Sequence, residues 1–276
     1  MRVLILGGDG LLGHILFDYL SKDKSKSVYC TVKKDSYSKD NVFLNMDAHD
    51  FNDIDNVITL NSPDIIINCL GIVKQRESSV DDFIKINALM PLYLKEKYEG
   101  KIKIIHISTS CVFDGKKGDY LEDDNKEPDD CYGYSKLLGE IVGENIITLR
   151  TSFLGPELFN YVGLFDWFFY STGQIKGFSK AVFSGVTSLE LCKVIDKVLD
   201  SDYFNGLYHV GNQKINKHEL LILINNIFSL NKTIIKDDKF VIDRSLITDK
   251  FDEEFKYINS SWEKMLVELR NYMGRA

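Results

Sequence analysis

The sequence is poor in proline, cysteine and histidine, and it contains no long apolar run. Its five cysteines are dispersed and include no Cys-x-x-Cys pair, which argues against a disulfide framework and against a zinc site. The five histidines have no metal-ligand spacing either, so no metal is expected. No apolar stretch approaches the roughly 18 residues of a membrane span, and the first residues do not read as a signal peptide. These absences predict a cytoplasmic protein without membrane contact.

Basic charge is also in short supply. The 34 Lys and Arg residues are outnumbered by 41 Asp and Glu, which gives a formal net charge of −7, and they are scattered along the chain. A nucleic-acid partner is therefore not expected, because binding a phosphate backbone requires a local surplus of Lys and Arg. The apolar fraction of 44% and the charged fraction of 27% are ordinary for a globular protein.

Short apolar runs alternate with helical periodicity in the first half of the chain. The runs predict strands over 2–6, 27–32, 64–68, 103–107 and 146–150. The periodic segments predict helices over 11–20, 53–60, 79–98 (kinked at Pro91) and 134–142. Such alternation is typical of βαβ units, so the predicted fold class is α/β, a Rossmann doubly wound parallel sheet.

This rhythm loosens after residue 150, which indicates a second, smaller unit. Aromatic residues crowd the segment 158–170, and helices are predicted over 188–199, 218–228 and 261–273. We predict an NAD(P)-binding Rossmann domain over 1–155, with 179–200 packing back on it. The segments 156–178 and 201–276 are predicted to form a smaller C-terminal substrate-binding lobe.

Three glycines follow the first predicted strand and precede the first helix. Gly7, Gly10 and Gly13 stand at positions 1, 4 and 7 of this loop. Such a loop needs positive φ, close approach of the backbone to a pyrophosphate and tight packing of helix on strand. The helix N-terminus then offers free N–H groups and a partial positive charge to the phosphates. The loop, with Leu11 and Leu12, therefore predicts a dinucleotide site.

The end of the second predicted strand bears on the choice of cofactor. An NAD-selective fold usually has Asp or Glu about 20 residues past the glycine loop, where it binds the ribose hydroxyls. This sequence instead has Thr31, Lys33 and Lys34 there, with no carboxylate. A hydroxyl and two ammonium groups suit a 2′-phosphate. NADPH is therefore the predicted cofactor, with NADH as the alternative.

A tyrosine four residues before a lysine occurs three times, and position distinguishes the three pairs. Only Tyr132 and Lys136 follow a central strand that ends in hydroxyl residues, including Thr109. At this spacing both side chains share one helix face. The ammonium is expected to stabilise the phenolate, and together with the cofactor's positive nicotinamide ring to lower the pKa of Tyr132 from about 10 to about 7. The sequence predicts Thr109, Tyr132 and Lys136 as the catalytic set.

These motifs together resemble the extended short-chain dehydrogenase/reductase family, and most closely its dTDP-4-dehydrorhamnose reductase branch. The matching segments are GGDGLLG at 7–13, STSCVFDG at 108–115, YGYSK at 132–136 and LRTSF at 149–153. The resemblance spans nearly the whole chain and implies further cofactor and sugar contacts. Those implied are Asp47 and Ala48 near the adenine, Cys69, Leu70 and Gly71 at the ribose, Asn87 behind Lys136, and Phe153 near the sugar.

The sequence departs from that branch at two places near the predicted substrate. Ser110 and Cys111 stand where the branch usually has Asp-Tyr, and Lys74 and Gln75 follow the third clear strand in place of an alanine-rich segment. We predict Lys74, Gln75 and Ser110 as substrate contacts. Arg244 is a further candidate, because a guanidinium group matches the geometry of a diphosphate.

The resemblance implies an NADPH-dependent reductase of a nucleotide-linked 4-keto-6-deoxysugar, serving synthesis of cell-surface polysaccharide. Tyr132 would protonate the developing alkoxide, Thr109 would hydrogen-bond it, and Lys136 would hold the nicotinamide ribose. A nucleotide-sugar epimerase of the same fold stays open, because it would use the same pair. A non-catalytic regulatory subunit of this fold is the other alternative, and a homodimer is compatible with either.

Overall fold

The computed structural model describes residues 1–33, 40–76 and 78–274. Its strands are β1 (Arg2–Leu6), β2 (Ser27–Thr31), β3 (Val42–Phe43), β4 (Ile65–Asn68), β5 (Lys103–Thr109), β6 (Ile146–Thr151), β7 (Phe153–Leu154), β8 (Gln174–Phe183), β9 (Val186–Thr187), β10 (Gly206–Val210), β11 (Ile215–Asn216) and β12 (Thr233–Asp243). Its α-helices are α1 (Gly13–Leu20), α2 (Phe51–Asn61), α3 (Val80–Phe83), α4 (Met90–Tyr98), α5 (Cys131–Leu138), α6 (Leu164–Tyr170), α7 (Ser188–Leu199), α8 (Lys217–Ile227), α9 (Asp249–Phe255) and α10 (Trp262–Tyr272).

Seven parallel strands form the central sheet, in the order β10–β6–β5–β4–β1–β2–β3. The strands are apolar because both faces of the sheet are covered. Val3 and Ile5 belong to the core on one face, and Leu4 and Leu6 belong to the core on the other. The chain reverses its direction of winding between β1 and β4, which opens a crevice beyond the carboxyl ends of those strands. The predicted Rossmann fold class is confirmed.

The strand β10 corrects the predicted division of the chain. A boundary at 201 assigned it to the substrate-binding lobe, but it pairs in parallel with β6 and completes the central sheet. Local sequence pattern could not show this, because the pairing joins segments about sixty residues apart, such as Tyr208 with Leu149. The helix α7 precedes β10 and packs against α1. The rest of the domain division stays a prediction.

The smaller lobe is built on a second sheet in the order β11–β8–β12. The strand β12 runs parallel to β8 and is mostly exposed. The helices α8 and α10 contribute Leu220, Ile224, Met265 and Leu269 to the same apolar core as the central sheet. One continuous core therefore joins the lobe to the sheet. Within the described ranges, no helix is long and apolar enough to cross a membrane.

The helix that carries the Tyr-x-x-x-Lys pair begins earlier than predicted. It was expected over 134–142, but α5 starts at Cys131 because the Asp130 carboxylate accepts a hydrogen bond of 2.7 Å from the Gly133 amide. It ends at Leu138, next to a close approach of backbones: a Cβ at Gly139 would lie 1.9 Å from the Asn87 carbonyl oxygen. Both ends of this helix are therefore fixed by the loops around the crevice.

The predicted helix over 79–98 is continuous, but it changes from α-helix to π-helix where Asn87 lies. The segment Ile84–Leu89 is π-helical and joins α3 to α4 without a break, and the Met90 amide donates to the Lys85 carbonyl. Pro91 has no N–H to donate to the Asn87 carbonyl, so the ordinary helical pattern cannot continue there. Short π-helical turns of this kind occur frequently at functional sites.

Candidate active site

The glycine loop has the geometry that a dinucleotide requires. Gly7 has a φ of +86°, in the region that favours glycine. A Cβ at Gly13 would lie 2.0 Å from the Gly7 carbonyl oxygen, so only glycine fits at the start of α1. A Cβ at Gly10 would lie 3.2 Å from the same oxygen. Leu12 is buried beneath the loop and Leu11 is partly exposed. The tight turn onto a helix N-terminus fits a pyrophosphate.

The position of Thr31 differs from the predicted one. Its side chain is fully buried, and its hydroxyl accepts a hydrogen bond of 3.1 Å from the Gly7 amide. The Thr31 carbonyl also accepts from the Gly8 amide at 2.6 Å. Thr31 therefore holds the glycine loop against β2 and does not reach a cofactor phosphate. The Thr31 side chain lies on the side of β2 that faces the glycine loop, and the sequence alone does not show on which side it lies.

Lys33 is exposed beyond the end of β2, where its amide donates to the Asp9 carboxylate at 3.1 Å. Lys34 lies outside the described residues. Asp47 accepts hydrogen bonds from the His49 amide and ring, both at 3.0 Å, and these lower the pKa of the Asp47 carboxyl. Ala48 is partly exposed beside it. The Lys33 ammonium is close enough to Asp47 to lower the pKa of that carboxyl further. The two residues predicted to lie near the adenosine part of the cofactor are therefore neighbours.

The segment after β4 borders Lys136, the predicted catalytic lysine. A Cβ at Gly71 would lie 4.0 Å from the Lys136 Nζ and 3.5 Å from the Asn87 Oδ1. The Leu70 amide donates to the Asn68 side chain at 3.1 Å, which shapes the turn after the strand. Burial raises the pKa of the neighbouring Cys69 thiol to about 12, so it is neutral at pH 7. The predicted ribose segment is therefore placed beside Lys136.

Asn87 connects this segment to α5, the helix that carries Tyr132 and Lys136. Its Oδ1 accepts from the Ile72 amide at 2.9 Å, and its Nδ2 donates to the Ile72 carbonyl and the Ser135 hydroxyl, both at 3.0 Å. Ser135 immediately precedes Lys136 in α5. Asn87 therefore supports Lys136 through its neighbour in the helix.

Lys136 is buried, and its Nζ donates a hydrogen bond of 2.7 Å to the Ile107 carbonyl in β5. Burial lowers the pKa of Lys136 to about 8, against the opposing charge of Glu140. The ammonium is therefore held at a fixed point beneath Gly71, where it is mostly protonated at neutral pH.

Tyr132 and Thr109 face each other at the carboxyl end of β5. Thr109 is the last residue of that strand, and its hydroxyl accepts from the Cys111 amide at 3.2 Å. Burial raises the pKa of Tyr132 above its ordinary value, and the smaller lowering effect of a hydrogen bond with Thr109 does not offset this. Lys136 by itself therefore does not bring the pKa of Tyr132 below its ordinary value. A protonated phenol is the state that donates a proton.

Two of the predicted substrate residues, Ser110 and Phe153, are buried or half-buried, and two others are exposed. Ser110 is buried, and its hydroxyl pairs with that of Ser152 at 2.6 Å, so it is not positioned as a direct substrate contact. Phe153 is half-buried at the start of β7 and packs against the main core. Gln75 is exposed. Lys74 is also exposed and pairs with the Asp130 carboxylate at 3.0 Å.

Arg244 lies closer to Tyr132 than the sequence could show. Its Nε donates to the Phe113 carbonyl at 2.8 Å, and its Nη2 pairs with the Asp129 carboxylate at 2.6 Å. Its Nη1 lies 3.7 Å from the Cys111 Sγ. The guanidinium group therefore already has protein partners next to Tyr132, and one of them, Asp129, lies in the acidic segment before α5.

Sequence reasoning missed two further groups near the site. Lys217 opens α8, and burial together with the charges of Lys74 and Arg244 lowers its pKa. No motif marks Lys217 in the sequence. The second is the buried ion pair of Glu140 with Arg150. Glu140 lies four residues after Lys136, and that spacing was the one available signal for it.

A parallel Rossmann sheet, a glycine loop and the paired Tyr132 and Lys136 define an NAD(P)-dependent oxidoreductase of the extended short-chain dehydrogenase/reductase class. A family model described as the RmlD substrate binding domain matches residues 1–240, and the chain belongs to that family. The resemblance and enzyme class predicted from the sequence are thereby confirmed.

Two of the known proteins that resemble the chain do so over nearly its full length. The dTDP-4-dehydrorhamnose reductase of Aggregatibacter actinomycetemcomitans is 27% identical, covering 98% of this chain and 99% of that protein. The crystal structure of a hypothetical dTDP-4-dehydrorhamnose reductase from Sulfolobus tokodaii superposes with a TM-score of 0.80 at 27% identity, covering 95% and 96% of the two chains. The methionine adenosyltransferase 2 subunit beta of Danio rerio is 30% identical, but over only 50% of this chain and 42% of that protein.

Proposed function

We propose that this protein is an NADPH-dependent reductase of a nucleotide-linked 4-keto-6-deoxysugar, acting in polysaccharide synthesis. The observation that carries the proposal is the position of Tyr132, which shares α5 with the buried Lys136 and faces the Thr109 hydroxyl at the end of β5. Burial raises the pKa of its phenol, so at neutral pH it holds a proton beside the Thr109 hydroxyl. Reduction of a ketone consumes one proton at the carbonyl oxygen, and a positioned neutral phenol supplies it.

The other residues would bind the cofactor and orient the substrate. Gly7, Gly10 and Gly13 would hold the pyrophosphate, and Lys136 would hold the ribose hydroxyls of the nicotinamide side. When bound, the cofactor supplies the hydride. Thr109 would hydrogen-bond the substrate oxygen so that it faces the phenol of Tyr132. The likeness over nearly the full length of a dTDP-4-dehydrorhamnose reductase supports this choice of substrate class.

The direct test is oxidation of NADPH, followed at 340 nm, with a panel of dTDP-, UDP- and GDP-linked 4-keto-6-deoxysugars. We expect turnover with at least one member of the panel and a higher kcat/KM for NADPH than for NADH. Bound cofactor without any turnover would overturn the reductase proposal. It would favour the regulatory role suggested by the partial likeness to a methionine adenosyltransferase subunit. Interconversion of a sugar without net oxidation of NADPH would favour an epimerase.

The preference for NADPH depends on Lys33 in this proposal. An exposed ammonium at the end of β2 can pair with a 2′-phosphate, and a single phosphate contact of this kind is worth about 1.5–3 kcal/mol. We expect Lys33→Ala to lower kcat/KM for NADPH about tenfold and to leave that for NADH unchanged.

The matched control for Lys33→Ala is Lys24→Ala, which removes an exposed lysine from the loop before β2. It should change neither value. Lys33→Ala keeps the backbone amide, so the hydrogen bond from that amide to the Asp9 carboxylate is not removed by the substitution. Equal losses with NADPH and NADH in Lys33→Ala would show that Lys33 does not select the cofactor.

A further inference from the structure

A buried carboxylate and the catalytic lysine hold adjacent residues of the same strand. The Lys136 Nζ donates to the Ile107 carbonyl at 2.7 Å, and the Ser108 hydroxyl donates to the Glu140 Oε1, also at 2.7 Å. Thr109 is the next residue along β5. Any movement of Glu140 is therefore transmitted to the strand segment that holds the lysine on one side and the catalytic threonine on the other.

Glu140 is itself rigidly held by Arg150. The arginine Nε and Nη2 donate to the two carboxylate oxygens, each at 2.6 Å, which is the bidentate arrangement that fixes both groups. Arg150 is 2% exposed. Its Nη1 donates to the Glu122 carbonyl at 3.0 Å and approaches the His209 Nε2 at 3.1 Å. Such a network costs desolvation free energy, so its presence beside the site calls for a role.

Among the described residues, the titratable groups that face Lys136 are neutral apart from Glu140. Burial raises the pKa of the Cys69 thiol, at the end of β4, and of Tyr132, on the same helix as Lys136. Burial also lowers the pKa of His106, on β5, well below its ordinary value. All three are uncharged at pH 7. Beyond Glu140, burial and the charge of Arg150 lower the pKa of His209, on β10, to about 3, so it is neutral too.

We infer that Glu140 is a positioning residue for Lys136: through Ser108 it fixes the strand whose Ile107 carbonyl accepts the hydrogen bond of the lysine, and its carboxylate places a negative charge near the buried ammonium. The inference rests on the proposed function only for the catalytic importance of Lys136. The contacts of Glu140 and Lys136 involve protein atoms only, so they can be tested without substrate or cofactor.

The deciding experiment is an NMR titration of protein labelled with ¹³Cε-lysine, in which the Lys136 signal is assigned by its absence from Lys136→Met. In the unaltered protein we expect a midpoint near the pKa of about 8. Loss of a nearby opposite charge lowers the pKa of a lysine, so Glu140→Gln should shift the midpoint down by about one pH unit. A midpoint unchanged by Glu140→Gln would overturn the inference.

Glu190 provides the matched control. It is also a buried glutamate, paired with Lys193 at 3.0 Å and with the Tyr257 hydroxyl at 2.8 Å, but it lies in α7 away from Lys136. Glu190→Gln should leave the Lys136 midpoint in place. An equal shift of the Lys136 midpoint in both variants would show a general effect of losing a buried carboxylate and would also overturn the inference.

A second variant covers the case in which Glu140→Gln does not fold, since it leaves the buried Arg150 with a neutral partner. Glu140→Gln with Arg150→Met removes both charges, and buried ion pairs tolerate joint neutral replacement better than the loss of one partner. The same downward shift is expected, with folding checked by a thermal melt. Ser108→Ala keeps the carboxylate and should leave the midpoint unchanged while lowering kcat.

Activity provides an independent readout. The alkaline fall of kcat in Glu140→Gln should begin about one pH unit lower than in the unaltered protein, and Glu140→Asp should restore most of the difference. If the unaltered protein reduces no nucleotide-linked sugar, the proposed function fails. The titration of Lys136 still decides the role of Glu140 in that case.

Discussion

Tyr132→Phe is expected to lower kcat of ketone reduction by about 10²–10⁴-fold, the usual contribution of a positioned general acid. The substitution removes only the hydroxyl, which lies beside Thr109, and it leaves the edge-to-face contact with Phe83 in place. Cofactor affinity should stay within about threefold, because Lys136 and the glycine loop are untouched. The measurement is single-turnover oxidation of NADPH beside a cofactor titration.

The control for Tyr132→Phe lies two residues away on the same helix. Tyr134 is exposed, so Tyr134→Phe makes the same chemical change outside the crevice and should leave kcat unaltered. A Tyr132→Phe protein that keeps more than a tenth of the activity would mean that another group protonates the substrate oxygen. The candidate would then be the buried ammonium of Lys136, and Lys136→Met would become the decisive variant.

Gly13→Ala is expected to weaken cofactor binding by about 100-fold, the effect of a misplacement of about 1 Å at a site. The new Cβ would lie 2.0 Å from the Gly7 carbonyl oxygen, a backbone atom that cannot move without disturbing the loop. The loop is also tied to β2 through Thr31, so it has little freedom to adjust. Fluorescence titration with NADPH measures the loss.

Gly10→Ala tests the same loop with a milder change. Its Cβ would lie 3.2 Å from the same carbonyl oxygen, which a shift of a few tenths of an ångström relieves. Its loss of affinity should be at least tenfold smaller than that of Gly13→Ala. Equal losses would mean that the loop tolerates no side chain of any kind, and the specific close approach at Gly13 would not be the cause.

The sequence predicted the elements around the crevice well because their signals are local. The strands β1, β4 and β5 are buried on both faces, and such strands read as short apolar runs. The strand β12 was missed for the opposite reason. The strand β12 is largely exposed and carries charged residues such as Lys236 and Asp237, so its composition resembled that of a loop.

At the site, the sequence located residues but not the directions of their side chains. Thr31 and Ser110 both lie at strand ends near the crevice, yet each hydroxyl is turned inward onto another part of the protein. The pKa of Tyr132 differs from the predicted direction for a related reason. Spacing predicts which charge is near, but desolvation depends on how much of the fold surrounds the ring, and here burial has the larger effect.

The late position of β10 in the chain has a consequence for folding during synthesis. A nascent chain that has emerged only as far as residue 155 has β6 as an open, apolar edge and leaves α1 without α7. The ion pair of Lys26 with Asp196, at 2.5 Å, is likewise still unmade. The central sheet therefore cannot be completed on the ribosome until residue 210 has left the exit tunnel.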